Sequence, residues 1–156
     1  MEDKNKLKTF IKFLSNKVGF TFDIDNFDHR IKLQKYVYIA KEFGWDHNYY
    51  YNIYIRGPYS SRLAKDYYDL EEVTPEPIIL LNENAFTELV IKKDTSWLEV
   101  AATMLSLHKS YRNHYEGKKL ENNVINRTME LKSSIHKNII CDAYKQLKSI
   151  GLLTTI

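Results

Sequence analysis

The two segments that decide the fold are KLQKYVYIAKEFGW at positions 32–45 and YNIYIRGPYSSRLAKDYYDL at positions 51–70. The first has apolar residues at the three-to-four spacing of an amphipathic helix. The second begins with crowded aromatic and β-branched residues, which favour a strand, and ends with a helical pattern. Together they predict a helix, a short strand, a Gly57-Pro58 turn and a second helix.

The helix that contains the first segment has recognisable ends. Asp25 or Asn26 can begin it, because either side chain can accept a hydrogen bond from a free amide of the first turn. Gly44 suits the position just after its end, where a left-handed backbone is common. The residues predicted to form its buried stripe are Phe27, Ile31, Leu33, Val37, Ala40 and Phe43.

The predicted strand spans residues 49–56. Its alternate residues on one face are Tyr51, Ile53 and Ile55. Gly57 and Pro58 are expected to break it, because proline lacks a ladder amide and glycine accepts unusual backbone angles. Ser60 or Ser61 then caps the next helix. On this interpretation the turn is structural.

Helical periodicity covers most of the remaining chain. A first amphipathic helix ends near Gly19, and residues 85–91 are predicted to form a short helix, with a strand as the alternative. Ser96 and Glu99 have the spacing of a capping box, and the broad apolar surface that follows them predicts a central helix ending around Tyr111.

Two further helices are predicted near the C-terminus. One lies beyond Gly117, and the last is capped by Ser133 or Ser134. Gly151 should end the last helix, with Leu152 as the apolar contact of a Schellman motif.

Length and composition predict one domain. The 156 residues are 44% hydrophobic and 28% charged, as in ordinary globular proteins. The net charge of +3 is too small for a general nucleic-acid footprint. One cysteine and no apolar stretch of about 18 residues predict a cytoplasmic protein without a membrane partner. We predict a single mainly α (α+β) domain over residues 1–156, with about six or seven helices and a small antiparallel sheet.

Catalytic and metal-binding motifs are not found. The turn lacks a nucleophile elbow, and the single cysteine excludes a Cys-x-x-Cys zinc site. The histidines never occur at His-Glu-x-x-His spacing; they are His29, His47, His108, His114 and His136. We predict no catalytic residue, metal or cofactor. An enzyme that handles a phosphorylated ligand through Arg56, Ser60, Ser61 and Asp66 is kept as a third hypothesis.

A family resemblance rests on the same two segments. The residues that carry it are Lys32-Leu33-Gln34-Lys35, Tyr38, Tyr54, Arg56-Gly57-Pro58-Tyr59-Ser60, Leu63 and Asp66. They resemble the YwgA-like proteins and the related SocA-like (Panacea) antitoxin domain, over about 40 positions that lie mostly between 31 and 70. The resemblance implies a small, mainly helical domain without an established catalytic site, which acts as a regulatory or antitoxin-like module of a prokaryote or its virus through protein contact.

The leading functional hypothesis is therefore a protein-interaction module with an unidentified protein partner. Aromatic and arginine residues beside a rigid Gly-Pro corner are typical of interfaces. The predicted interaction residues are Lys32, Gln34, Lys35, Tyr38, Tyr54, Arg56, Gly57, Pro58, Tyr59, Ser60 and Ser61.

The alternative hypothesis is a DNA-binding regulator. AYKQLKSIGLLTTI at positions 143–156 has the form of the helix and turn that introduce the wing of a winged-helix domain. Lys137, Lys145 and Lys148 would then contact phosphates, and affinity would fall steeply with salt.

Overall fold

Helices dominate the fold, as the periodicity predicts, and a small antiparallel sheet joins them. The computed structural model describes residues 2–54 and 56–153, apart from the side chains of Glu2 and Tyr54. A π-helical turn, Leu14–Val18, extends the first helix. In chain order the elements are α1 (Glu2–Phe13), α2 (Phe27–Lys41), β1 (Asn52–Tyr54), β2 (Gly57–Tyr59), α3 (Ser61–Tyr67), α4 (Glu83–Val90), α5 (Thr95–Tyr111), α6 (Gly117–Leu131) and α7 (Lys137–Ser149).

Two of the predicted helix caps are confirmed. The side chain of Asn26 accepts a hydrogen bond from the His29 amide at 3.1 Å and begins α2. The Ser60 hydroxyl oxygen accepts from the Leu63 amide at 3.2 Å, so Ser60, and not Ser61, caps α3. Such caps stabilise a helix because they satisfy amides that have no partner within it.

Two other predicted caps are wrong. Asp94 begins α5 by accepting from the Trp97 amide at 2.9 Å, so Ser96 lies inside the helix. Aspartate and serine are equally good caps, and the Ser-x-x-Glu spacing alone could not choose between them. His136 begins α7 by accepting from the Asn138 amide, in place of Ser133 or Ser134.

The predicted glycine ends of α2 and α7 are confirmed. Gly44 has a φ of +104°, and Gly151 has a φ of +89°. After α7 the Leu152 amide donates to the Leu147 carbonyl at 3.0 Å, which is the hydrogen bond of a Schellman motif. No wing strand occurs in residues 151–153, and residues 154–156 lie outside the described part of the chain.

The hairpin differs from the predicted strand and break. β1 has three residues, and Gly57 and Pro58 do not end the sheet but form β2, with Ile53 opposite Pro58. Proline is tolerated because the backbone of position 58 points away from β1. The Pro58 carbonyl faces Lys35, and an amide at this position would point the same way, so the ladder loses no hydrogen bond. Ile55, predicted on the strand face, lies outside the described residues.

The core is built around α5, which packs against α2, α6, α7 and β2. Fully buried Leu98 and Met104 each contribute about 1.5 to 3 kcal/mol by leaving water. Phe27 is a correction to the predicted stripe of α2, because its side chain is 58% exposed. In the described part of the chain no helix has the length and apolar character needed to cross a membrane.

Segment 68–82, between α3 and α4, has no regular secondary structure and is tied to α1. The Lys8 ammonium donates to the Val73 carbonyl at 2.8 Å, and the Thr9 hydroxyl donates to the Glu76 carbonyl at 2.5 Å. These bonds satisfy carbonyls that no ladder satisfies, which fixes the path of the segment across α1.

Candidate functional site

Side chains of α2 close the outer edge of β2. The Gln34 amide makes two hydrogen bonds of 2.9 Å, accepting from the Ser60 amide and donating to the Ser60 carbonyl. The Lys35 ammonium donates to the Pro58 carbonyl at 2.8 Å. A side-chain amide offers one donor and one acceptor, as a peptide group of a neighbouring strand does. The Lys-Leu-Gln-Lys segment of α2 therefore holds the segment after the Gly-Pro turn in place through the side chains of Gln34 and Lys35.

Gly57 allows the hairpin to approach α5 closely. Its φ is +90°, in the region that favours glycine. A Cβ at this position would lie 2.9 Å from the Thr103 hydroxyl oxygen and 3.5 Å from the Glu99 carbonyl oxygen. Any side chain here would therefore combine backbone strain with a steric clash.

A buried charged cluster lies beneath the hairpin, and we define it as Glu99, Lys132, Lys35 and Arg56. The Glu99 carboxylate lies 3.3 Å from the Arg56 guanidinium and 3.5 Å from the Lys132 ammonium. Lys35, Lys132 and Glu99 are buried, whereas Arg56 is half-exposed. One carboxylate thus faces three cations, and the cluster carries a positive excess.

Desolvation is the main influence on the pKa values of the two buried lysines. Burial lowers the pKa of Lys35 to about 8, against an opposing attraction from Glu99. Burial also lowers the pKa of Lys132, again opposed by Glu99. Lys35 is only 1% exposed and its ammonium is bound to a carbonyl, so its role in this structure is to hold β2.

The lowered pKa of Lys35 predicts a pH-dependent stability. The unfolded chain, with an ordinary lysine pKa of 10.5, binds more protons than the folded chain between that pH and about 8. The free energy of unfolding should therefore rise by about 2 kcal/mol between roughly pH 7.5 and 9.5 relative to Lys35→Met. Urea titrations of both proteins measure the difference. Lys65→Met, at an exposed lysine of α3, should retain the wild-type slope, and the same slope in Lys35→Met would contradict the expectation.

An exposed aromatic residue lies at the tip of the hairpin, between two arginines. The guanidinium carbons of Arg56 and Arg30 lie 5.3 Å and 5.7 Å from the centre of the Phe27 ring. Arg30 is held by a 2.6 Å hydrogen bond to the Ile24 carbonyl, and Arg56 is held by Glu99. We call Phe27, Arg30 and Arg56 the tip patch. Sequence reasoning assigned Phe27 to the core and did not consider Arg30.

The other predicted interaction residues are mostly engaged in the fold. Gly57, Pro58 and Ser60 are buried, and Tyr59 is half-buried. Lys32 lies 4.0 Å from the Asp28 carboxylate of its own helix. Exposed Ser61 starts α3, and half-buried Tyr38 packs edge-on against Tyr51 with 4.8 Å between ring centres. Tyr54 contributes its backbone to β1.

The residues of the enzyme hypothesis have separate partners. Arg56 pairs with Glu99, Ser60 is a buried cap, and the Asp66 carboxylate accepts from the Tyr49 hydroxyl at 2.7 Å. Across residues 2–54 and 56–153, no group of three or more His, Cys, Asp or Glu side chains is placed to hold a metal ion. Arg56, Ser60 and Asp66 thus each have a structural partner of their own.

The α7 lysines of the DNA hypothesis are exposed, but an acidic residue lies among them. The Lys148 ammonium lies 3.5 Å from the Glu121 carboxylate, which also pairs with Lys118 at 2.7 Å. Lys145 lines a groove that contains Glu88, and Lys137 begins the helix. These carboxylates weaken the positive potential that phosphate binding requires.

The structure thus brings together the tip patch and the charged cluster beneath it, from α2, the hairpin, α5 and the residue after α6. Together they form a polar site that helix capping does not explain. The chain was also compared with protein-family models, with curated proteins and with solved structures, and none of these comparisons found a match.

Proposed function

We propose that this chain is a non-enzymatic protein-interaction module, of the regulatory or antitoxin-like kind that the resemblance implies, and that the tip patch contacts the partner. The observation that carries the proposal is the exposed Phe27 ring held between two guanidinium groups. Arginine and aromatic side chains supply much of the binding energy at protein interfaces, where they become fully desolvated.

The support beneath the patch favours binding without rearrangement. Glu99 fixes Arg56 from below, and Gln34 and Lys35 fix the strand that follows it. A side chain that is already ordered loses less conformational entropy when a partner binds. We therefore expect a partner to bind the patch with little loss of side-chain freedom.

The charge of the patch indicates the kind of partner. Arg30 and Arg56, with Lys132 behind them, outnumber the single carboxylate of Glu99. A partner with an acidic rim around an apolar or aromatic side chain complements this arrangement. Such a contact responds weakly to salt if the apolar part dominates, unlike phosphate binding.

Site-specific photo-crosslinking tests the proposal. A benzophenone side chain at position 27 in the native host should capture a discrete protein, whereas the same group at position 68 should not. Tyr68 is a matched control, because it is exposed to a similar degree, 63%, away from the patch. We expect Phe27→Ala or Arg56→Ala to weaken the captured complex at least about tenfold, with little change in melting temperature.

Two outcomes would contradict the proposal. Equal capture from positions 27 and 68 would mean that contact is not localised to the patch. Recovery of nucleic acid that is lost in modest salt and on Lys145→Glu and Lys148→Glu would favour the DNA-binding alternative.

A further inference from the structure

A cleft of about 330 Å³ lies beside the hairpin, between the C-terminal parts of α2 and α5. Tyrosine rings form much of its wall, and the rings of Tyr38 and Tyr51 pack edge-on there. Its lining includes Tyr50, Tyr51, Ile53 and Lys109. Tyr50 and Ile53 are 75% and 48% exposed, so the cleft opens onto an apolar rim.

The two edges of the hairpin differ in how their backbone groups are satisfied. On β2, the Pro58 carbonyl and the backbone of Ser60 are bound by Lys35 and Gln34. Since Pro58 faces Ile53 and turns its carbonyl away from β1, this pair is of the non-hydrogen-bonded kind. The amide and carbonyl of Ile53 therefore point outward, away from β2.

Nothing in the described residues covers this outer edge of β1. The sheet has two strands, and β1 lies at its edge. Edge strands are commonly protected by lysine, proline or a covering side chain, and Asn-Ile-Tyr carries neither lysine nor proline. Gln34 and Lys35 of α2 bind the outer edge of β2, and no described side chain does the same for β1. The hairpin is thus closed on one side and open on the other.

We propose that the outer edge of β1 and the tyrosine-lined cleft bind an extended peptide segment of a partner protein, which adds to the hairpin as a third strand. The Ile53 amide and carbonyl pair with the peptide backbone, as in strand addition. Alternate peptide side chains lie on the same face as Ile53, at the mouth of the cleft. This site is separate from the tip patch and does not depend on the proposed function.

Charge complementarity identifies the peptide as acidic. Lys109 is exposed and forms no ion pair with a described residue, whereas the Lys41 ammonium is bound to the His47 carbonyl at 2.8 Å. The cleft contains these two lysines and one glutamate, Glu42. One uncompensated cation suits a single carboxylate, and it is too few for a nucleic-acid backbone, which is bound through several phosphates.

Selection of peptides on the intact protein tests the site. Random heptapeptides displayed on phage should yield an enriched sequence with alternating apolar residues and an acidic residue. Ile53→Pro removes the outward amide without removing a ladder bond, and Ile53→Val retains that amide. By fluorescence anisotropy, the labelled selected peptide should bind wild type and Ile53→Val equally, and Ile53→Pro at least about tenfold more weakly.

N-methylation of the peptide supplies a second measurement that needs no protein variant. If the peptide pairs as a strand, methylation should abolish binding at alternate positions and be tolerated at the positions between. Phe27→Ala should leave the peptide affinity unchanged, which separates this site from the tip patch. Failure to enrich any sequence, equal binding to Ile53→Pro, or methylation effects without alternation would overturn the proposal.

Discussion

Gly57→Ala should lower the free energy of unfolding by about 3 kcal/mol, because it adds backbone strain and a clash at once. The φ of +90° disfavours any residue with a Cβ, and that Cβ would lie 2.9 Å from the Thr103 hydroxyl oxygen. Close packing leaves little room for the hairpin to move away from α5. Urea unfolding followed by circular dichroism measures the change.

Two controls separate strain from the clash. Gly19 has a φ of +80° with nothing within 4 Å of an added Cβ, so Gly19→Ala should cost only the strain, about 1 kcal/mol. Thr103→Ala removes the clashing oxygen and should recover part of the loss in the Gly57→Ala background, whereas Thr103→Val should not. If Gly57→Ala costs the same in the wild type and in the Thr103→Ala variant, the predicted clash between the hairpin and α5 is contradicted.

Glu99→Ala should cost about 3 to 5 kcal/mol, because it leaves buried lysines without their carboxylate. Lys132 lies 3.5 Å from Glu99, and Lys35 is buried nearby, so neither gains water in exchange. The two lysines would then repel each other and Arg56 without compensation. Chemical denaturation at neutral pH measures the loss.

An exposed ion pair supplies the matched control for Glu99. Glu130 lies 2.9 Å from Arg127 on the surface of α6, and Glu130→Ala should change stability by less than about 1 kcal/mol. Adding Lys132→Met to Glu99→Ala should restore part of the stability, because it removes one of the unpaired charges. Equal effects at positions 99 and 130 would contradict a buried cluster.

The fold could be predicted largely from local patterns. Helical spacing located α2 and α5, and the glycines at 44 and 151 marked helix ends because their backbone preference is a property of one residue. The start of α5 was misplaced, because Asp94 and Ser96 offer equivalent caps and only the tertiary position of the helix decides between them. β2 was missed because proline disfavours a ladder in general, whereas Pro58 uses only its carbonyl here.

The site could be predicted only in part. The two segments were recognised, but the contact between Gln34 and Ser60 spans 26 positions, and no local rule reports it. Glu99 lies between apolar residues on a helix that is buried on nearly every side, which is a signal for a buried charge. Its partners Arg56 and Lys132 become neighbours only through packing. Phe27 was assigned to the core because spacing cannot distinguish a buried first turn from one at the edge.

The ties between α1 and segment 68–82 link distant parts of the chain. Lys4 pairs with Asp69 at 2.8 Å, 65 positions later, and the Glu76 amide donates to the Asn5 carbonyl at 3.2 Å. Because segment 68–82 has no ladder of its own, fraying of the first turns of α1 removes the anchors that this helix supplies. Protease sensitivity in this segment therefore reports on the state of α1. A substitution that destabilises α1 is expected to raise the rate of cleavage in segment 68–82.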